Sequence, residues 1–292
     1  YSNSFTENTK SSTVNITYRR PGSKWSFSTT ASVSQRTADS TLSVSFPNLT
    51  VTMSQPAPFK RKKAVGDERW YEKIKISYSG KFQNSLTAKQ DDFFKKSLVK
   101  DWRNAMSHTV PISATFNVFK YLNVTPAITI NDRMYTNKIR QQWDPNLNGV
   151  VRDTTYNFYT VFDFNFSVSF NTKLYGFFKP LKIFGDKVNM IRHVITPSVS
   201  FSAAPDFSTR FWGYYGQYER VNADGTKEPV KYSYFSNGLY GNAPSGKSGV
   251  MSFNISNNIE AKVKSDQDST GFKKVSIIEN LTLSQSYNFA AD

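Results

Sequence analysis

Cysteine is absent, histidine occurs only as His108 and His193, and no stretch is continuously apolar over the roughly 18 residues that a membrane-crossing helix needs. Each absence excludes something. Without cysteine there is neither a disulfide framework nor a thiolate metal site. Two histidines leave almost no material for a metal cluster or a Ser/His/Asp triad, so no metal and no cofactor is expected and the chain does not read as an enzyme. His193 lies among alternating residues and reads as an interfacial or structural histidine. Asp91-Asp92 and Asp266/Asp268 lack the glycine and distal glutamate of a calcium loop and read as solvated loops. The chain opens at Tyr1 with no charged, apolar-cored leader and ends directly after an alternating segment, which reads as a mature or truncated piece of a longer protein.

What is present is aromatic and alternating. Hydrophobic residues make up 38% and mean hydropathy is negative, yet 24 Phe and 16 Tyr bring the aromatic share to 15%. A polar average with many aromatics fits a transmembrane barrel, because lipid-facing and lumen-facing residues alternate and cancel in any window. The net charge of +15 fits solvated loops or attraction to anionic lipid headgroups. No zinc spacing, basic heptad helix or RNA-binding motif accompanies it, so nucleic acid is not an expected partner.

Alternation with a period of two defines the elements, since successive strand residues point to opposite faces. Val14, Ile16 and Tyr18 are followed by Trp25, Phe27, Thr29, Ala31 and Val33, with Pro21-Gly22 marking a tight turn between them. Leu42, Val44 and Phe46 keep even register, whereas Leu49, Val51 and Met53 keep odd, so one extra residue, a bulge, is expected at Pro47-Asn48. Further strands are expected around Ile74–Phe82, Val110–Val118, Leu122–Ile130, Tyr156–Phe170, Ile191–Phe201, Met251–Val263 and Val275–Phe289, which makes about ten in all. Phe158, Phe162, Phe164, Phe166 and Phe170 share one parity and are expected to face lipid. Pro47, Pro126 and Pro197 are expected to interrupt their strands, each removing one ladder hydrogen bond.

A soluble sandwich also alternates. Strands longer than the usual five or six residues, a polar face of Ser, Thr, Asn, Lys and Asp, and aromatics at strand ends (Tyr18, Trp25, Trp70, Tyr71, Tyr121, Tyr135, Tyr175) favour the membrane. Links near Arg20–Ser23, Gln35–Ser40, Leu122–Asn123 and Lys264–Phe272 read as short. Those near Leu86–His108, Tyr135–Thr154 and Ala204–Gly249 read as long. Strand counting puts the long ones on the extracellular side, and puts Gln55–Arg69 and Gly176–Asn189 on the periplasmic side. The Asn-x-Ser/Thr triplets at Asn15, Asn48, Asn123, Asn165 and Asn280 read as polar-face strand residues. The fold expected is all-β, an antiparallel transmembrane β-barrel, with residues 1–292 one portion of a single barrel domain.

Several patches resemble the barrel domain of the LPS-assembly protein LptD (OstA-like) family. They are Asn171-Thr172-Lys173-Leu174-Tyr175-Gly176 and Ile191-Arg192-His193-Val194-Ile195-Thr196-Pro197-Ser198-Val199-Ser200-Phe201. Further ones are Phe59-Lys60-Arg61, Glu68-Arg69-Trp70-Tyr71-Glu72-Lys73-Ile74, Asn257-Asn258-Ile259-Glu260-Ala261-Lys262 and Ser286-Tyr287-Asn288-Phe289. The resemblance implies a multi-pass translocon in the bacterial outer membrane. Such a barrel is plugged by an LptE-like lipoprotein, receives lipopolysaccharide (LPS) from periplasmic bridge proteins and releases it sideways among outer-membrane lipids. Family barrels have roughly twice the strands counted here, so this chain would be a part of one. The family's periplasmic jellyroll is not recognisable and its cysteines are missing. A general or substrate-specific porin and an outer-membrane lipid hydrolase remain as other readings. Lys60, Arg61, Lys62 and Lys63 are candidate partners for LPS phosphates, the alternative being a solvated turn.

Overall fold

The computed structural model describes residues 8–54, 56–63, 65–96, 100–180, 187–222, 224–265 and 271–290. Asp266 and Asp268 lie outside them. The strands are β1 (Thr9–Tyr18), β2 (Trp25–Arg36), β3 (Thr41–Met53), β4 (Ile74–Ile76), β5 (Tyr78–Lys89), β6 (Arg103–Ala114), β7 (Phe116–Val118) and β8 (Leu122–Asp144). They continue with β9 (Gly149–Asn171), β10 (Leu174–Phe178), β11 (Val188–Ala204), β12 (Tyr215–Val221), β13 (Lys227–Ser233), β14 (Ser248–Lys264) and β15 (Phe272–Asn288). One open antiparallel sheet runs β1-β2-β3-β5-β6-β8-β9-β11-β14-β15, with β4, β7 and β10 continuing β5, β6 and β9 after short breaks; β12 and β13 form a separate hairpin. Among the described residues no helix is long and apolar enough to cross a membrane.

Cross-strand partners share a face, so the register sorts the side chains. Trp25, Phe27 and Thr29 align with Met53, Val51 and Leu49, and these with Tyr78, Gly80 and Phe82. Ile128 and Ile130 align with Phe166 and Phe164, and Phe201, Val199 and Pro197 align with Met251, Phe253 and Ile255. This face is apolar and much of it is exposed, with Ile16 at 61%, Phe166 at 54% and Leu283 at 62%. The other face carries Ser107, Thr109, Thr129, Asn131, Asn165, Ser167, Ser200 and Ser252. All five Asn-x-Ser/Thr asparagines lie on it; Asn123, for example, donates to Asn171 at 3.1 Å and accepts from Asn117.

The bulge expected at Pro47 is present, as a register shift between Ser45 and Leu49. A second, between Tyr135 and Asn137, turns Tyr156 to the polar face, away from the phenylalanines that follow it. The prolines do not interrupt their own strands; the break falls in the neighbour. β9 and β10 part opposite Pro197, whose carbonyl accepts from Thr172 N–H at 3.3 Å, and β6 and β7 part at Thr115, beside Pro126. Pro111 does the same to β4 and β5, with Ser77 N–H at 3.0 Å from its carbonyl. A proline has no N–H to return, so the facing residue loses its acceptor's partner and leaves the ladder.

Two links expected to be long are shorter than expected, with residues 90–102 left between β5 and β6 and only residues 145–148 between β8 and β9. β5 and β6 extend to Lys89 and Arg103, and β8 and β9 continue as a tall hairpin to a turn at residues 145–148. At about 3.3 Å per residue, strands of 23 residues reach about 75 Å, well past the height of an apolar band. Beyond that band both faces are wet, so hydrophobic alternation fades while the backbone ladder continues. The turn expected at Leu122-Asn123 lies slightly earlier, at Phe119-Lys120, both with positive φ. The β1–β2, β7–β8, β10–β11 and β14–β15 links lie with the β3–β4 link at one end of the sheet, the short-turn end, and the β2–β3 turn at residues 37–40, the β5–β6 link, the tall β8–β9 hairpin and the 205–247 segment lie at the other.

That segment contributes to the cluster of buried hydrophobic side chains among the described residues. Phe207, Phe235 and Ala243 are buried against Ala105, Tyr135 and Val161. Tyr135, expected at a strand end in an aromatic rim, is instead under this segment, 4% exposed and donating from its hydroxyl to Gly241 O at 2.6 Å.

Candidate functional site

Two places combine charge with built geometry. The first is the β3–β4 link at the short-turn end. Glu72 sits in a four-residue 3-10 helix, Trp70–Lys73, and its carboxylate reaches back to the Arg69 N–H at 2.7 Å, as in half a capping box. It also accepts from Arg61 Nε at 2.8 Å, from another guanidinium nitrogen at 2.9 Å, and from the Arg61 backbone N–H at 3.0 Å. The bidentate Arg61 bond, then the backbone N–H groups of Arg69 and Arg61, hold the Glu72 carboxyl down at about 2. Lys60 pairs with Glu68 at 2.7 Å, which raises the lysine and lowers the glutamate. The run 60–63 is therefore not four equivalent cations: Lys60 and Arg61 brace the turn, and Lys62 and Lys63 project from it.

The pH response of this brace follows from its sign. A carboxyl held below its unfolded value near 4.3 contributes its full stability above that value and loses it as pH falls through the folded one. Stability contributed by the brace is expected to fall between about pH 4.3 and pH 2, whereas the Arg61 side-chain N–H signal of the folded protein should hold its position through pH 4.3 and move only with a midpoint near pH 2. A Glu72→Gln variant should lack this transition and expose the peptide bonds after Lys62 and Lys63 to trypsin. An unchanged Arg61 signal across that range would count against the brace.

The second place is the polar face beneath residues 205–247. Arg133 pairs with Asp163, side chains 16% and 6% exposed, and donates to Tyr240 O at 3.1 Å; Asn131 donates to the same carboxylate at 2.9 Å. Lys138 lies over the rings of Tyr159 and Tyr234 at 5.0 and 5.5 Å. Above Phe166, β9 has no β11 partner, and the segment takes that position: Phe162 N–H donates to the Tyr214 hydroxyl at 3.0 Å. Phe164 is consequently half-covered, its ring edge-on to Phe207 and Trp212, while Phe158 and Phe166 are exposed and Phe162 and Phe170 intermediate.

The histidines lie apart, both on the apolar face. Tyr78 OH is 2.7 Å from His108 Nδ1, and His193 Nε2 is 3.0 Å from Asn257 Oδ1. Asp92 pairs with Lys95 at 3.3 Å. Among the described residues no group of His, Asp and Glu is arranged to hold a metal.

Sequence spacing did not reveal the anchoring of residues 205–247. Its available signals were the density of Tyr, Phe and Trp and the Asp224-Gly225 pair, which turns β12 into β13 with Gly225 at φ +80°.

A large open antiparallel sheet with one apolar and one polar face, its polar face covered in part by a folded link, defines an all-β protein. The family model described as LptD protein matches residues 1–292, and the chain belongs to that family. The LptD family is an outer-membrane protein family associated with LPS transport. No curated protein and no solved structure matches the chain.

Proposed function

We propose that this chain is a portion of an outer-membrane β-barrel through which LPS reaches the outer leaflet. The carrying observation is the two-sidedness of the ten-strand sheet, exposed Phe, Ile, Leu and Val against Ser, Thr and Asn. An apolar face of this extent is costly in water and natural in lipid. The outer edges of β1 and β15 carry no partner among the described residues, and further strands joined to them complete the barrel, of which residues 1–292 form part of one domain.

In this reading Phe158, Phe162, Phe164, Phe166 and Phe170 face lipid, Phe164 beside Phe207 and Trp212. The sugar part of LPS follows the polar face while its acyl chains leave through a seam between strands. An LptE-like plug lipoprotein fills the lumen and periplasmic bridge proteins deliver LPS to the short-turn end, with outer-membrane lipids around the multi-pass barrel. The breaks opposite Pro126 and Pro197 ease the bending of the sheet, and the Pro47 bulge does so by its extra residue.

Spin labels replacing Phe158, Phe166 and Phe170 should be reached by oxygen from the bilayer, and labels replacing Asn165 and Ser167 by water-soluble nickel chelates. The reverse pattern would refute the reading. Substantial ion conductance by the isolated, unplugged barrel would favour a porin, and lipid hydrolysis a hydrolase.

Lys62 and Lys63 act in this scheme as phosphate contacts at the entry, with Lys60 and Arg61 positioning them. Charge steering weakens with salt. Lys62→Gln/Lys63→Gln is expected to slow LPS transfer to the reconstituted barrel several-fold at low ionic strength and much less at 0.5 M salt, with normal assembly. Equal transfer at low ionic strength would leave the run as a solvated turn.

A further inference from the structure

At the short-turn end of the polar face, two adjacent cross-strand rows gather groups that a sheet ordinarily keeps apart. One row crosses β10, β11, β14 and β15 as Phe177, Arg192, Glu260 and Ser276. The next crosses β11, β14 and β15 as Met190, Lys262 and Lys274. Lys262 and Lys274 stand directly opposite one another, an arrangement that destabilises a sheet unless an anion lies between the charges. The one carboxylate in the two rows, Glu260, is already engaged by Arg192 at 2.7 Å. The Nε–H of Arg192 is buried without a hydrogen-bond partner.

Between these side chains lies an open cleft of about 210 Å³, lined by Phe177, Met190 and Ala261 together with Arg192, Glu260, Lys262 and Lys274. The Lys262 ammonium also lies over the Phe272 ring, 4.4 Å from its centre, at the rim of the same two rows. The cleft thus offers apolar walls beside cations in excess of their single counter-charge. A free inorganic anion would use the charges and leave the walls wet, and a neutral hydrocarbon would leave the like charges unrelieved. A molecule with an acyl chain next to a phosphate satisfies both, because phosphate oxygens accept charge-assisted bonds from ammonium groups and from a guanidinium N–H.

We propose that this cleft is a binding subsite for a phosphorylated lipid, with the acyl chain along Phe177 and Met190 and the phosphate between Lys262, Lys274 and Arg192 Nε. The site rests on the LPS-transport reading and adds to it a holding point on the barrel wall, separate from Lys62 and Lys63.

The test uses the full chain in nanodiscs of neutral lipid, with diphosphorylated lipid A, its dephosphorylated form and inorganic phosphate as probes. Lysine-to-glutamine replacement at both 262 and 274 is expected to weaken diphosphorylated lipid A binding at least tenfold and leave the dephosphorylated form unchanged. The corresponding double arginine variant should keep the binding, which separates charge from misfolding. Phe177→Ser should weaken both lipid forms, and inorganic phosphate at equal concentration should not compete. Equal binding by the double glutamine variant, or full competition by inorganic phosphate, would overturn the proposal. Because binding is read on purified protein, intact binding together with no role in LPS export would refute the transport reading and leave the subsite standing.

Discussion

Replacing Phe166 with arginine is expected to block insertion of the barrel. Phe166 is 54% exposed on the apolar face, aligned with Ile128 on β8 and Ala203 on β11. Near the midplane of a bilayer an arginine on a lipid-facing strand costs about 2–4 kcal/mol, a large part of the stability of one sheet region. The check is urea-dependent folding into liposomes, followed by the mobility difference between folded and unfolded forms on electrophoresis. Asn165→Arg, one residue away on the polar face, should fold with nearly the parent midpoint. Equal midpoints for the two variants would show that the faces do not lie in different media.

The second large effect is expected at Asp163. Its carboxylate joins Arg133 and Asn131, and Arg133 in turn holds Tyr240 O, so one buried charge ties β8 and β9 to the segment above them. Removing one partner of a buried ion pair leaves the other uncompensated, at a cost of about 3–5 kcal/mol. Asp163→Leu should therefore release residues 205–247 from the polar face, making the peptide bonds after Arg210, Arg220, Lys227 and Lys231 accessible to trypsin. The sheet itself should stay protected, since its ladders do not depend on this pair. Asp163→Leu/Arg133→Met removes both charges and should recover much of the loss. If the single variant resists trypsin like the parent chain, the segment is held by its aromatic contacts alone.

Strands were legible wherever one face is wet and the other apolar, because the period-two signal measures the difference between two environments and not the strand itself. The parity change at Pro47 therefore revealed its bulge. Asn137–Asp144 and Gly149–Thr155 hold only Ile139, Trp143, Val150 and Val151 as apolar residues, too few and too irregularly spaced to alternate, so they read as a loop while the backbone carries the ladder through them. Tyr156 has the parity of the phenylalanines that follow it yet lies on the polar face, 42% exposed, because the bulge beside it left no mark in the hydropathy.

The candidate sites were legible only as composition. Lys60–Lys63 stood out as a charge run, but its division into braced and projecting cations depends on Glu72, which lies across a loop and contacts Arg61 from a 3-10 turn. Arg192, Lys262 and Lys274 come together through strand order and register, with β11 paired to β14 across the whole 205–247 segment. Spacing along the chain carries no trace of that pairing. The mutual facing of Lys262 and Lys274 is likewise a product of the bulges near Ile259, which fix which residues of β15 lie opposite β14.

The most direct measurement of the central claim is conditional depletion of the protein in its native cell, followed by the location of newly made LPS. An enzyme confined to the periplasmic face of the inner membrane supplies the marker, by modifying LPS that is held up there. If this chain belongs to the LPS-delivering barrel, depletion should leave new LPS modified at the inner membrane and reduce its arrival at the cell surface before other outer-membrane proteins decline. Undiminished arrival of unmodified LPS at the surface, with the protein gone, would contradict the account.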